Sequence, residues 1–354
     1  MNRAGHNMTT RRDFLSGKAI LEAGAETADD AQPLLVLGDT VRLSTQAMAS
    51  DFEVILNPGA GSRLEAAWAA LELVNQLEDQ LSVYRPYTEL SLLNVRGSAD
   101  AVTVERRLYD LVQRAVQYSR ETEGAFDPTS GPLVALWRNC KKEKRVPSDA
   151  ELAAARARIG CRHVVFDNSA TTIRFMQPGI GLNLNAMGKG YALDRAAEVL
   201  GPAVTDWLLH GGYSSILARG VHAGCEGWPV GIRHPLFPNR QLATVLLKDR
   251  AMSTSGSAVQ FFRYQGKRYG HIIDPRTGWP VDTMLTVTVL APDAAQAEAL
   301  STAFFVLGVE KALEYCHNHL DVAALLIPTP ASGNRLEPVV CGIPESEIVF
   351  VREQ

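Results

Sequence analysis

The 354 residues carry 46% apolar and 21% charged side chains and a formal net charge of −4, which is enough apolar chain for a substantial core and too little positive charge to hold a nucleic-acid backbone. Five cysteines, Cys140, Cys161, Cys225, Cys316 and Cys341, stand far apart with no CxxC pair, which argues against a thiolate zinc site and a dense disulfide framework. No stretch of about 18 uninterrupted apolar residues occurs, so no transmembrane helix is expected.

At the N-terminus, Thr10-Arg11-Arg12-Asp13-Phe14-Leu15 has the form of a twin-arginine export signature. Such a signal needs an apolar stretch of about 7 to 15 residues after the arginines, and here Lys18, Glu22 and Glu26 interrupt it. Residues 1–35 therefore read as a flexible charged leader ahead of a folded unit spanning 36–354. The cytoplasm is the expected location, with export by the twin-arginine route as the alternative.

Next, PLLVLGDTVRLSTQAMASDFEVILNP alternates β-branched and apolar residues on either side of Gly38-Asp39 and predicts two strands. Ser62-x-x-Glu65 has the form of a capping box, and Leu64, Trp68, Leu71, Val74, Leu77 and Leu81 follow at spacings of three and four, which predicts an amphipathic helix. A second helix is predicted from Glu105 to Arg120, and a third from the Ser148-x-x-Glu151 box. From residue 160 onward short strands dominate (HVVFD, TTIRF, WLLHGG, SILARG, WPVGIRHP, ATVLLKD, TVTVLAP), interrupted by helices from Gly190 to Leu200 and Ala295 to Leu307. The pattern predicts an α+β fold with antiparallel sheet and helices packed on one side, as a single unit or as two lobes.

Three segments carry residues suited to chemistry. In AMSTSGSAVQFFRYQGKRYGHIIDPRTGWPV, a Ser-Thr-Ser-Gly turn can present hydroxyls and N–H groups to an anion, and His271 precedes an Asp274-Pro275-Arg276-Thr277-Gly278 turn. On the late helix, Glu298, Ser301 and Thr302 are related by i, i+3 and i+4. A carboxylate and two hydroxyls on one face would suit a hard cation such as Mg²⁺, whereas the ordinary reading is a solvated stripe whose hydroxyls bond back to the preceding turn. In GLNLNAMGKGYALDRAAEVL, Asn183, Asn185, Gly188, Lys189, Gly190, Tyr191 and Asp194 fall where a strand turns into a helix, which offers free N–H groups to phosphate. The spacing of a P-loop and the dinucleotide GxGxxG fingerprint are both missing.

Taken in order, LSVY, FDPTSGPLVALW, the KGYALD helix start, the Gly-Gly turn, STSG, HIIDPRTG and AEALSTAFFVLG resemble the ApbE family of FAD:protein FMN transferases over residues 45–350. The resemblance implies a T-fold-like α+β protein that moves the FMN half of FAD, in the presence of Mg²⁺, onto a Thr or Ser hydroxyl of an acceptor flavoprotein and releases AMP. It implies that FAD is held by Met48, Tyr84, Ala125, Phe126, Asp127, Asn185, Tyr191 and Ile272, that the metal is held by the Gly188 carbonyl with Glu298, Ser301 and Thr302, and that His271 is the catalytic base. The chain departs from the family pattern at four acidic positions. Glu298 replaces an aspartate, while Asn183, Tyr213 and Ser257 are neutral. Two alternatives follow, a flavin-binding protein whose catalysis has decayed and an FAD pyrophosphatase that yields FMN and AMP.

Overall fold

Eight strands of alternating sequence pair into one fully antiparallel sheet in which each strand lies beside the next in chain order: Val41–Ala47, Ser50–Leu56, Trp207–Gly211, Ser215–Arg219, Arg250–Gly256, Met284–Ala291, Ala323–Pro328 and Val339–Cys341. The computed structural model describes residues 40–59, 61–201, 204–257, 260–333 and 335–351, all within one compact unit. The leader and its twin-arginine motif lie outside the described residues, as does the Pro33–Asp39 part of the first predicted strand.

Register explains how the sheet is covered. Ile55 pairs with Leu208, Leu208 with Ala218, Ile216 with Met252 and Met252 with Leu290. Because alternate residues face opposite sides, these form one apolar face, which packs on Trp228, Val230, Ala243 and Val245 of a second, three-stranded sheet. The other face carries Phe52, Val54, Leu209 and Leu217 and receives the helices Leu64–Leu81, Gly188–Leu200 and Ala294–Leu307. Helices thus cover one side of the main sheet, as the alternating pattern predicts.

Some local expectations need correction. The Leu64–Leu81 helix starts one position later than the Ser62-x-x-Glu65 spacing predicts: a short 3-10 turn, Gly61–Arg63, leads into it, and its N-cap residue, Arg63, makes no side-chain cap. Its stripe also runs through Ala67 and Ala70, while Trp68 is 43% exposed. By contrast, both halves of the Ser148–Glu151 box are made, with the Glu151 N–H donating to Ser148 Oγ at 3.3 Å and the Ser148 N–H to Glu151 Oε2 at 2.8 Å. Helices at Glu89–Arg96, Gly131–Glu143 and Val309–Asn318 were not foreseen. The cysteines are all unbridged. Among the described residues, no helix is long and apolar enough to cross a membrane.

Candidate active site

The Ser-Thr-Ser-Gly segment lies in the Arg250–Gly256 strand rather than in a turn, and this decides where its hydroxyls point. Thr254 faces away from the helices and hydrogen-bonds Thr288 Oγ1 at 2.8 Å. Ser253 and Ser255, one residue to either side, face the helix layer. There Ser255 Oγ lies 2.9 Å from Ser301 Oγ and 3.3 Å from Thr302 Oγ1. Ser301 Oγ also lies 3.4 Å from Ser253 Oγ. Both helix hydroxyls bond back to the Glu298 carbonyl, at 3.0 Å for Ser301 and 3.3 Å for Thr302, as expected of Ser and Thr inside a helix. Ser215 is paired with Ser253 across the sheet on the same face, and its hydroxyl is buried without a hydrogen-bond partner.

Glu298 is 5% exposed, and both of its carboxylate oxygens are engaged by the Gly188–Gly190 segment. The Gly190 N–H donates to Oε2 at 2.7 Å, and the Lys189 ammonium forms an ion pair with Oε1. The Gly188–Leu200 and Ala294–Leu307 helices therefore meet at their N-terminal ends. Asp194 fixes the contact by accepting from the N–H groups of Ala294 and Ala295 at 2.7 and 3.0 Å, and desolvation raises the pKa of this buried carboxyl. The helices approach so closely that a Cβ on Gly190 would lie 2.2 Å from the Ala294 carbonyl oxygen and 2.7 Å from the Ala295 nitrogen, atoms that cannot swing aside. Gly190→Ala should therefore lower stability by about 1–3 kcal/mol, outweighing the roughly 1 kcal/mol that alanine gains over glycine in a helix. An unchanged urea midpoint would refute that close contact.

His271 emerges from the Phe261–Tyr264 and Lys267–Gly270 hairpin. Gly270 packs near Ser257, just beyond the strand that carries Ser255. His271 Nδ1 lies 3.2 Å from the Gln260 carbonyl. Because a carbonyl can only accept, Nδ1 carries the proton and Nε2 keeps a free lone pair. Desolvation pulls the His271 pKa below its ordinary value, although the residue remains exposed at the surface. Asp274 is not its partner, since both carboxylate oxygens bind Arg276 at 2.9 Å. The loop after His271 is anchored instead by Trp137, whose Nε1 donates to the Gly278 carbonyl at 2.8 Å and whose ring packs on Phe262, Tyr269 and Trp279.

Of the residues expected to hold flavin, Tyr84 and Asn185 are in direct contact. Asn185 Nδ2 donates to Tyr84 Oη at 3.0 Å, and the Asn183 N–H donates to the Pro128 carbonyl at 2.7 Å, next to Asp127. Ala125 and Phe126 are buried at 2% and 3% exposure, so they can offer a ligand mainly their backbone. Tyr191 and Ile272 are buried as well, at 8% and 7%. Met48 sits with Ala49 in the hairpin turn between the first two strands, both at positive φ (51° and 54°); such backbone strain in non-glycine residues concentrates at binding sites. The same hairpin touches the Gly211–Gly212 turn, where the Gly212 N–H donates to the Asp51 carbonyl at 2.8 Å.

Among the described residues, no group of three or more His, Cys, Asp or Glu side chains is placed to hold a metal. The expected set would hold a divalent cation through one carboxylate, Glu298, together with hydroxyls, carbonyls and ligand oxygens. Such an oxygen-only set fits Mg²⁺, which keeps few protein ligands and takes the rest from water and phosphate. Sequence reasoning missed the Lys189 partner of Glu298 and the orphaned Ser215. Strand alternation through Ser253, Ser255 and Ser215 was the available signal.

An antiparallel sheet layered with helices, with one buried carboxylate on a helix that also carries a cluster of hydroxyls, beside a second helix N-terminus, defines an α+β protein with a polar candidate site between helices and sheet. Residues 40–326 match the model of the ApbE family, and the chain belongs to that family. It is 35% identical over 278 residues to a Treponema pallidum protein named FAD:protein FMN transferase, covering 73% of this chain and 77% of the relative. A Klebsiella pneumoniae protein of the same name is 31% identical over 258 residues, covering 72% and 80%. Among solved structures, the flavin transferase ApbE from Vibrio cholerae superposes with a TM-score of 0.74 at 29% identity, covering 86% of this chain and 97% of that one. The ApbE protein of Thermotoga maritima gives 0.75 at 27% identity, covering 84% and 96%.

Proposed function

We propose that this chain is a Mg²⁺-dependent flavin transferase that carries the FMN half of FAD to a Thr or Ser hydroxyl of an acceptor protein. The observation that carries this reading is the contact of the Glu298 carboxylate with Lys189 and Gly190 at the helix start, on the same helix whose Ser301 and Thr302 hydroxyls gather with Ser255. The relatives' shared name supplies the substrate. Bound Mg²⁺ would neutralise the pyrophosphate and the charge gathering on the leaving phosphate. Glu298, Ser301, Thr302 and the Gly188 carbonyl would hold it, while the N-terminus of the Gly188–Leu200 helix favours phosphate nearby.

His271 then acts through Nε2. It takes the proton from the acceptor hydroxyl as that oxygen bonds to the FMN phosphorus, and the P–O bond to AMP breaks with its electron pair leaving on AMP. Because His271 is exposed, water can also reach Nε2, so slow hydrolysis of FAD to FMN and AMP is expected as a side reaction. The hydrogen bonds that build the Glu298 cluster involve none of the three neutral replacements. Asn183 Oδ1 accepts from the Asn185 N–H at 2.9 Å, Tyr213 stacks on His210, and Ser257 offers its carbonyl to Arg268.

A chelator provides the test. Transfer should stop with excess EDTA and return when Mg²⁺ is restored, and undiminished transfer in EDTA would remove the metal from the account.

A further inference from the structure

We propose that Lys189 is the resident counter-ion of Glu298, and that it must release this carboxylate before a divalent cation can use it, moving to the phosphates of the incoming dinucleotide. The inference rests on the reading of Glu298 as a metal ligand. Glu298 is 5% exposed, and a buried carboxylate without a counter-charge carries a heavy desolvation penalty. In this structure the ammonium of Lys189 and the N–H of Gly190 provide that compensation. The two ends of the pair differ, since the Glu298 side chain is 6% exposed and that of Lys189 is 21% exposed. The carboxylate is fixed and the ammonium is the end with room to move. The Lys189 stem also passes the Gly211–Gly212 turn, where a Cβ on Gly212 would lie 3.9 Å from Lys189 Cδ, so the side chain spans from that turn to the helix start.

A cation taking Glu298 in the absence of FAD would leave two positive groups side by side. When the pyrophosphate is present, the freed ammonium gains an anionic partner at a helix N-terminus already suited to phosphate. The cost of separating Lys189 from Glu298 is then shared by both ligands, which makes metal and FAD binding mutually favourable. Lys189 is thus a positioning residue that delays metal capture until FAD is bound.

The test is Mg²⁺ titration of the flavin-free protein by calorimetry, repeated with Mn²⁺ and its EPR signal. Lys189→Met should bind either metal at least about fivefold tighter than the parent, the lower end of typical coupling between sites. It should also show a larger metal-induced rise in melting temperature, and the ratio of metal affinities with and without FAD should fall. Lys189→Gln serves if the methionine variant does not fold. Equal or weaker metal binding in a folded Lys189 variant overturns the proposal. Glu298→Gln, titrated in parallel, separates the two layers. If it binds metal as the parent does, Glu298 is not a ligand and both readings fail. If it loses metal while Lys189→Met gains nothing, only the hand-over fails.

Discussion

His271→Ala lowers the rate of FMN transfer by roughly 10²- to 10⁴-fold, the range typical of a lost general base, and leaves FAD binding near that of the parent. The asymmetry follows from the placement of the ring. Its Nδ1 is committed to the Gln260 carbonyl, whereas the predicted flavin contacts Tyr84 and Asn185 bond each other. A rate within a few-fold of the parent would remove His271 from the proton transfer. The pH profile should carry the same signature. Desolvation lowers the His271 pKa, so the neutral, base-competent form persists to lower pH than for an unperturbed histidine. The acid limb of kcat/KM should therefore have its midpoint below about pH 6.5, the unperturbed histidine value. A midpoint above that value would contradict the assigned role.

Glu298→Gln should abolish Mg²⁺-supported transfer, because it deletes the sole carboxylate of the proposed metal set and a hard cation discriminates strongly against a neutral amide. We expect metal affinity to fall at least about tenfold, which corresponds to about 1.4 kcal/mol. Part of the structural effect is separable. Glutamine can still accept from the Gly190 N–H, but the Lys189 ammonium loses its counter-charge. Because the Lys189 side chain is 21% exposed, the loss of stability should fall below the about 3–5 kcal/mol that follows breaking a fully buried pair. A variant that melts near the parent and no longer responds to Mg²⁺ supports the role of Glu298 as a ligand. Identical metal titrations would place the ion elsewhere.

Much of the fold is legible in the sequence wherever one periodicity dominates. Val164–Asp167, Thr172–Phe175, Trp207–Gly211, Ser215–Arg219 and Ala294–Leu307 lie within a residue or so of the runs that announce them. The Gly131–Glu143 helix is harder to read because Pro132 follows directly on the Asp-Pro-Thr-Ser-Gly turn. Its apolar residues are shared between the core and the aromatic platform on which Trp137 meets Trp279. Ser62 illustrates the reverse case, in which the motif spacing is present but a 3-10 turn places the helix start one position further on.

The site is partly legible for a similar reason. The i, i+3, i+4 spacing correctly puts Glu298, Ser301 and Thr302 on one face of a helix. No local rule, however, states that Glu298 on this face meets the glycine at residue 190, because that contact is made across more than a hundred residues of chain. Nor could spacing alone reveal that Lys189 neutralises Glu298, or that Asp194 caps the late helix from outside it. Both depend on two helices arriving at one place, and the glycine at 190 is the residue that lets them approach.

The central claim is tested most directly by mass spectrometry of an acceptor that the relatives flavinylate, after incubation with the purified chain, FAD and Mg²⁺. The account predicts FMN in phosphoester linkage to a Thr or Ser of the acceptor, with one AMP released for each FMN attached. Recovery of intact FAD with an unmodified acceptor, under conditions where a relative labels it, would contradict the account.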